Sequence, residues 1–579
     1  MRQWMVAAKK ADFYAIAEKF HVDPVVARII RNREVIGEKN IRIYLGGNLS
    51  DLSDPHQMKD MDRLVEILAQ KIRKQVHIRI IGDYDVDGVT SSHLFLTALR
   101  RVGAKVDVVI PHRIQDGYGL SLHLLQQAKE DGVDTILTCD NGIAAIDEIA
   151  WAKAQKMTVL VTDHHAVPFE EHEGRRTEKK SLADAVVNPH QQDCRYPYKE
   201  LCGAGVAWNV IRVLYENYDM DKREAEDLLD FVAMATVCDV MSLTGENRIL
   251  VKEGLKRIRH TKNIGLQALM QACNVQPENI SAYHFGYVLG PCVNATGRLD
   301  TARHALRLFE TGQETEAEEI ARDLVDLNQE RKELTLQGVE MAKKLCEEGG
   351  YEKDPVLVLF LPDVHESIAG LIAGRIREMY NRPVFVLTRG EEGVKGSGRS
   401  TENYSMYENM CGCAELFTKF GGHPMAAGLS LPEENVEKFR RKINENCPLT
   451  VEEVCPDIHI DMAMPVGYAS TELVHQFALL EPFGKDNPSP LFADRNLSIS
   501  RMWEIGKNRN VLRMSVLSEY GQPVPVIFFG DVETLFAYFT EKFGQEEVEN
   551  ALHGRKNRIL FSMVYTCLLY TSPSPRDVE

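Results

Sequence analysis

The chain is short of several things that would narrow its function at once. No apolar run approaches the roughly 18 residues that cross a bilayer as a helix, so no membrane association is expected. The amino terminus, MRQWMVAAKKADFYAIAEKF, meets Lys9, Lys10 and Asp12 too early to hold the apolar core of a secretory signal. The 12 cysteines include no C-x-x-C pair, and the nearest two in sequence are Cys411 and Cys413. That spacing argues against a zinc ribbon and for reduced, mostly buried thiols in a cytoplasmic protein. Positive charge is also scarce. A formal net charge of −17 argues against nonspecific duplex binding, although basic residues gathered in one groove would escape that count. There is no internal repeat.

At 579 residues the chain is too long for one core, and roughly 150 residues per domain implies about four units. From residue 76 short apolar strands alternate with amphipathic helices: VHIRII (76–81), a helix from Thr90 to Val102, KVDVVI (105–110), a helix over 120–131, DTILTC (134–139), MTVLVT (157–162) and ADAVVN (183–188). This alternation predicts a parallel α/β sheet covered on both faces. Residues 224–240 read as helical, with Asp239 interrupting an apolar run. A charged helix over 314–348 carries Ala317, Ile320, Leu324 and Leu327 as a narrow apolar stripe, the pattern of a connecting helix. A second α/β unit begins at PVLVLFL (355–361) and contains the glycine-rich segments GVKGSGRS and FGGHPMAAGLSL. From 455 short alternating strands predict a small β-barrel or sandwich.

The polar clusters fall in consistent places. Asp83, Asp85 and Asp87 follow the first strand, Asp140 follows DTILTC, and Asp163, His164 and His165 follow MTVLVT. Carboxyl ends of strands in an open parallel sheet share one edge, where ligands bind, so the clusters should converge. The stretch IIGDYDVDG looks like the opening of an EF-hand, but that loop needs a glutamate at position 12, which here is Leu94. Helix capping would explain one aspartate, not three, and like charges this close repel unless a cation neutralises them. Carboxylates joined by one or two imidazoles suit Mn²⁺ or Mg²⁺ better than structural zinc. A carboxylate-bridged pair of such ions can activate water and stabilise an in-line phosphoryl displacement.

In order along the chain, DYDVDG, CDNG, TDHH and ATVCDVMSL resemble the four motifs of the DHH phosphoesterase superfamily, and GSGRS with FGGHPMAAGLSL resembles its DHHA1 nucleic-acid-binding module. The likeness is strongest to the RecJ branch, single-strand-specific 5′→3′ exonucleases, through IPHRIQDGYGLS, LCGAGVAWNV, NATGRLD and LLEPFGKDNPSP. It implies an α/β architecture: a parallel-sheet DHH domain (56–312) and a smaller α/β DHHA1 domain (349–448) joined by a long helix (313–348). An amino-terminal segment (1–55) would precede these, and an OB-like β-barrel (449–566) would follow. Residues 567–579 read as a disordered or foreign tail, and the barrel is expected to be truncated after RILFSMVYT.

The resemblance further implies two ions, Mn²⁺ or Mg²⁺, held by Asp85 and Asp87 with Asp83 close by, by Asp140 as the bridging carboxylate, and by His164 and Asp239. Asp140, His164 and His165 would be catalytic, with His165 orienting the site or touching the scissile phosphate. Some relatives carry a histidine four residues before the first ligand, where this chain has Ile81, leaving Asp83 or water to complete that set. Arg298 and Arg399 would hold phosphates bidentately. The glycines around Ser397, Gly398, Gly422 and His423 would let backbone N–H groups approach a phosphate, and Arg113, Tyr118 and Arg375 would contact the strand. The implied partners are single-stranded DNA, a single-strand-binding protein and a helicase, with the enzyme a monomer serving recombination and repair. The rivals are a phosphodiesterase for short oligoribonucleotides or cyclic dinucleotides, and a non-catalytic scaffold. Retention of the motif carboxylates speaks against the scaffold.

Overall fold

The computed structural model describes residues 4–112, 119–172, 175–299, 301–390, 393–505 and 510–567. They form two units. The larger comprises Gly47–Pro456 and Pro482–Asn487; the smaller takes the amino-terminal residues and the rest of the carboxy-terminal region.

In the larger unit the first sheet has the order Val106–Val109, Ile78–Ile81, Thr135–Cys139, Thr158–Thr162, Ala185–Val187, and every pairing is parallel. Alternate residues go to opposite cores. Ile80, Leu137 and Leu160 join one apolar cluster, while Ile81, Ile136, Val159 and Val161 join the other. Both faces are therefore covered, as the near-continuous apolar runs require. The strand order reverses between Ile78–Ile81 and Thr135–Cys139, and the aspartate clusters follow these two neighbours.

The helix Glu314–Gly349 runs 36 residues, about 54 Å at 1.5 Å per residue. Ala317, Ile320, Ala321 and Leu324 are buried in the core of the parallel sheet; Val339, Ala342 and Cys346 are buried in that of the next domain. One apolar stripe thus serves two cores in succession. Gly350, at φ 63°, ends the helix in the left-handed conformation glycine tolerates.

The second sheet has the order Lys419–His423, Ala426–Leu431, Gly393–Arg399, Val384–Gly390, Leu357–Phe360. Its last pair is parallel and the others antiparallel. The glycine-rich segments are thus strands.

In the smaller unit Phe492–Ile505 is the hub of an open sheet. It pairs with Met462–Ala463, Val511–Leu517 and Leu560–Tyr565, and Val511–Leu517 pairs with Pro523–Phe529. Trp4–Val6 pairs in parallel with Ile458–Ile460, and Arg33 grips Asp461 through two hydrogen bonds of 2.7 and 3.0 Å. The amino-terminal residues are built into this unit. No helix among the described residues is long and apolar enough to cross a membrane.

Candidate metal centre and substrate shelf

The helix Val86–Arg101 begins four residues earlier than the pattern suggested. Asp85 caps it, its Oδ1 accepting from the Gly88 amide at 3.0 Å. Capping is therefore real, but it occupies one oxygen of one aspartate. Asp87 is held differently. Its two oxygens accept from the amides of Gly203 (2.6 Å) and Ala204 (2.7 Å) at the start of the helix Gly203–Asn217. The partially positive end of that helix suits a carboxylate. Gly203 must be glycine, since a Cβ there would lie 2.6 Å from the Cβ of Asp140. Asp140 itself takes φ 61°, bending sharply out of its strand. Leu94, where an EF-hand would need its glutamate, is sealed in the helix interior.

These turns bring the clusters together. Asp83, Asp85 and Asp140 form one group whose ligand atoms all lie within 4.8 Å of one another; Asp87, His164 and Asp239 form a second, and Asp140 with both histidines a third. Nε2 of His164 lies 3.1 Å from Asp140, 3.6 Å from Asp239 and 3.7 Å from Asp87. Yet this buried nitrogen makes no hydrogen bond of acceptable geometry among the described residues. A nitrogen lone pair aimed among three carboxylate oxygens, without a proton geometry to bind them, suits a shared cation. The donor set, rich in oxygen with one or two imidazoles, fits Mn²⁺ or Mg²⁺.

The electrostatics agree. Burial raises the carboxyls of Asp85, Asp140 and Asp239 above their ordinary range, and their mutual repulsion and that of Asp87 add to it. Burial lowers His164, keeping it neutral and able to ligate. Asp163, left out of the expected site set, orients the pair. Its Oδ1 accepts from the amides of His164 (2.7 Å) and His165 (3.0 Å) and lies 2.8 Å from Nδ1 of His165, while Oδ2 accepts from the Ile143 amide at 2.9 Å. Burial works against charge on His165, but Asp163, Asp239 and Asp87 outweigh it and push the imidazole up to about 9. At 43% side-chain exposure, His165 is the member of the pair that reaches solvent.

Asp239 is less buried than the apolar run suggested. It ends the helix Leu229–Cys238 and is 25% exposed. A second unforeseen neighbour is Lys485, whose charge draws the Asp239 carboxyl back down. The Lys485 carbonyl accepts from Leu243 at 2.9 Å, which seats the PFGKDN turn on the catalytic unit. Asp486 takes φ 60° in that turn, so the aspartate tolerates a position better suited to glycine.

On the second sheet, directly opposed residues point to one side. Arg399 is opposite Ala426, which is opposite His423, and Ser397 is opposite Gly428, which is opposite Gly421. Ser397, Arg399 and His423 thus share a face floored by small residues. Gly398, Ala427 and Gly422 point the other way, and a Cβ on Gly398 would strike Met406 Sδ at 2.3 Å. These glycines make room for packing and leave a shelf. Of the three glycine-bearing strands, Gly393–Arg399 and Ala426–Leu431 are paired on both sides, and Lys419–His423 is an edge strand with one side unpaired. Arg298 donates to the Ser367 carbonyl at 2.6 Å, tying the helix Gly290–Leu299 to the turn before the helix Ala369–Tyr380. Gly370 of that helix lies under Ser397 and Arg399, both 2.8 Å from where its Cβ would be. Arg298, Ser397 and Arg399 therefore gather around one helix start. Arg375 stands exposed on the same helix, 3.6 Å from Glu378. Arg113 and Tyr118 lie outside the described residues.

The smaller unit has an aromatic face of its own. Trp503, Arg513 and Ile527 form one row across three strands, with the guanidiniums of Arg501 and Arg513 at 5.6 and 5.3 Å from the indole ring.

Comparison with known proteins agrees with this layout. Residues 77–236 match the model of the DHH family, N-terminal domain; 353–447 match the DHHA1 domain and 460–564 the RecJ OB domain. The single-stranded-DNA-specific exonuclease RecJ of Haemophilus influenzae is 34% identical over 518 residues, covering 86% of this chain and 88% of that protein. The chain belongs to the RecJ family. The Bacillus subtilis member is 33% identical over 512 residues, and the alignment covers 88% of this chain but 63% of that longer protein. The crystal structure of the Thermus thermophilus member with Mn²⁺ superimposes with a TM-score of 0.76 at 27% identity, covering 90% of this chain and 74% of that one. A further structure of that member contains Mg²⁺. As a RecJ-family chain, the protein is a hydrolase of the DHH superfamily whose clustered carboxylates and imidazoles suit divalent cations.

Proposed function

We propose that the protein degrades single-stranded DNA from the 5′ end, releasing mononucleotides, with Asp83, Asp85, Asp87, Asp140, His164 and Asp239 holding two Mn²⁺ or Mg²⁺ ions. The observation that carries this is the overlap of the ligand groups through Asp140 and His164 at the reversal of strand order. When bound, such ions supply a nucleophile at neutral pH and offset charge on the phosphate. The chain's own residues do the positioning. The Gly203 and Ala204 amides fix Asp87, Asp163 holds the backbone of both histidines and the His165 imidazole, and charged His165 presents a donor to a phosphate oxygen. Ser397, Arg399 and His423 hold the phosphates beyond the cleaved bond on the glycine-floored shelf, with Arg298 and Gly422 at its margins, and Arg113, Tyr118 and Arg375 guide the strand. In the smaller unit, Trp503 beside two arginines offers a surface on which a base can stack.

An enzyme built to thread one strand needs that strand delivered unpaired. We therefore place it in the cytoplasm as a monomer supplied by a helicase and a single-strand-binding protein. The test is end-labelled single-stranded DNA, duplex DNA and short RNA incubated with Mn²⁺, Mg²⁺ or EDTA. Mononucleotides released from the 5′ end of single strands only, and abolished by EDTA, are expected. Cleavage of RNA dinucleotides but not longer DNA would overturn the reading in favour of a small-substrate phosphodiesterase.

A further inference from the structure

We propose that Cys273 and Cys292 are a reversible redox pair, at which a hydroperoxide joins two thiols into a disulfide that strains the segment framing the aspartates. Cys411 and Cys413 are the nearest thiols in sequence. In the fold, the only thiol–thiol contact among the described residues is between Cys273 and Cys292, with Sγ atoms 3.8 Å apart. A disulfide needs about 2.05 Å, so bonding would draw the segments that carry the two sulfurs toward one another.

The two thiols are chemically unequal. Cys273 sits at the end of the helix Ile264–Ala272 and is partly exposed; Cys292 is 2% exposed in the helix Gly290–Leu299. Contact with Cys292 lowers the Cys273 thiol, burial opposes this, and the Lys332 charge adds to the lowering. Contact with Cys273 and burial push the Cys292 thiol up; its S–H donates to the Val288 carbonyl at 3.3 Å and its sulfur accepts from Asn328 Nδ2 at 3.3 Å. A partly exposed thiol, the more readily ionised of the two, beside a buried one is the arrangement of an attacking and a resolving cysteine.

The chemistry balances with hydrogen peroxide or an alkyl hydroperoxide as oxidant. The Cys273 thiolate attacks the peroxide oxygen, an S–O bond forms, the O–O bond breaks, and the leaving oxygen takes a proton to depart as water or alcohol. Cys292 then attacks the Cys273 sulfenic acid, the S–S bond forms, the S–O bond breaks, and hydroxide leaves with the Cys292 proton as water. Two sulfurs lose two electrons and the peroxide bond gains them.

The position gives oxidation a route to the site. Two residues past Cys292, Asn294 Oδ1 accepts from the Val86 amide at 3.1 Å, at the start of the helix that carries Asp87. Gly297 abuts the Tyr84 carbonyl so closely that a Cβ would lie 2.5 Å away. Drawing Cys292 toward Cys273 pulls on the helix that makes both contacts.

The activity arm of the test rests on the proposed nuclease function, whereas the cross-link arm does not. The full chain is treated with hydrogen peroxide, alkylated and peptide-mapped, and single-strand cleavage is assayed before and after reduction with dithiothreitol. A Cys273–Cys292 linked peptide is expected, with cleavage reduced roughly tenfold, as for loss of a supporting contact, and restored by reduction. Cys273→Ser should cleave normally and resist peroxide. Oxidation of Cys273 without linkage to Cys292, or linkage elsewhere, overturns the pair; linkage with unchanged cleavage overturns the coupling. If reduced wild-type protein cleaves no single strand, the function fails, and the peptide map still decides the pair.

Discussion

At the edge of the parallel sheet the working groups are sunk: Asp83 and Asp87 are 1% exposed and Asp140 2%. On the glycine-rich sheet of the same unit, Ser397, Arg399 and His423 stand on a floor of glycine and alanine. The first arrangement gathers like charges where water cannot screen them, which opposes folding until a cation arrives. The second places its polar groups at a surface and needs only that other side chains stay out of the way. One region should therefore answer to metal and pH, the other to shape and substrate length.

Replacing Asp140 breaks the first region at its shared member. Asp140→Asn should lower cleavage by about 10³-fold, the scale of losing an essential electrostatic group. The same change should raise the thermal midpoint of the EDTA-treated protein, because it removes a buried charge repelled by its neighbours, and should blunt the stabilisation by Mn²⁺. A metal-free midpoint that falls would contradict the account of stored repulsion.

Arg399→Lys probes the second region. Lysine keeps the charge but loses the planar fork. KM for a single strand should rise roughly tenfold, about the worth of one charge-assisted hydrogen bond, with kcat little changed. The Mn²⁺-induced shift in thermal midpoint should match wild type. If it shrinks, the two regions are not independent.

A pH series separates them without mutation. Asp85, Asp140 and Asp239 have an ordinary value of 3.8 when unfolded and a raised one when folded. Above 3.8 the folded chain therefore holds more protons than the unfolded chain, and stability falls as pH rises through the raised values. His165, raised from 6.5 to about 9, contributes fully below 6.5 and loses its contribution as pH climbs to about 9, giving a slope of the same sign. Asp163 runs the other way, stabilising above 3.8 and losing that as pH falls through its lowered value. Urea unfolding in EDTA should show stability declining from mildly acidic to alkaline pH, and saturating Mn²⁺ should flatten the decline by replacing protons. A slope unaffected by Mn²⁺ would mean these groups do not share a cation.

The parallel sheet and its clustered edge were legible because short apolar runs ended in acidic residues at each turn. The helix start was not, since Val86–Thr90 carries an aspartate and a glycine that look like loop; the Asp85 cap draws that stretch into the helix. The Gly203 and Ala204 amides are more than 110 positions from Asp87, a separation at which no local pattern speaks. Asp163 was visible in TDHH but hidden behind two more conspicuous histidines. Lys485 lay in a turn whose return to the catalytic unit only the fold reveals. The glycine-rich segments were not assigned as strands because glycine disfavours strands locally, and only neighbouring strands supplying the ladder overrule it.

The smallest effects test that strand arrangement, because the two faces of the glycine strands should fail differently. On Gly398 a new methyl would meet Met406 Sδ at 2.3 Å and the Phe385 ring at 2.7 Å, both in the core. Gly398→Ala should therefore destabilise the fold by about 1–3 kcal/mol, the usual range for overpacking, with KM little altered in the molecules that remain folded. Gly428 has only the Gly396 carbonyl, at 4.0 Å, near its added methyl, which would point onto the shelf. Gly428→Ala should melt within a degree or two of wild type. Its KM should nevertheless rise a few-fold, because the methyl lifts the strand off the floor between Ser397 and Gly421. Equal melting points with equal KM values would leave the glycines without a role in binding, whereas the crossed pattern ties each to the face it occupies.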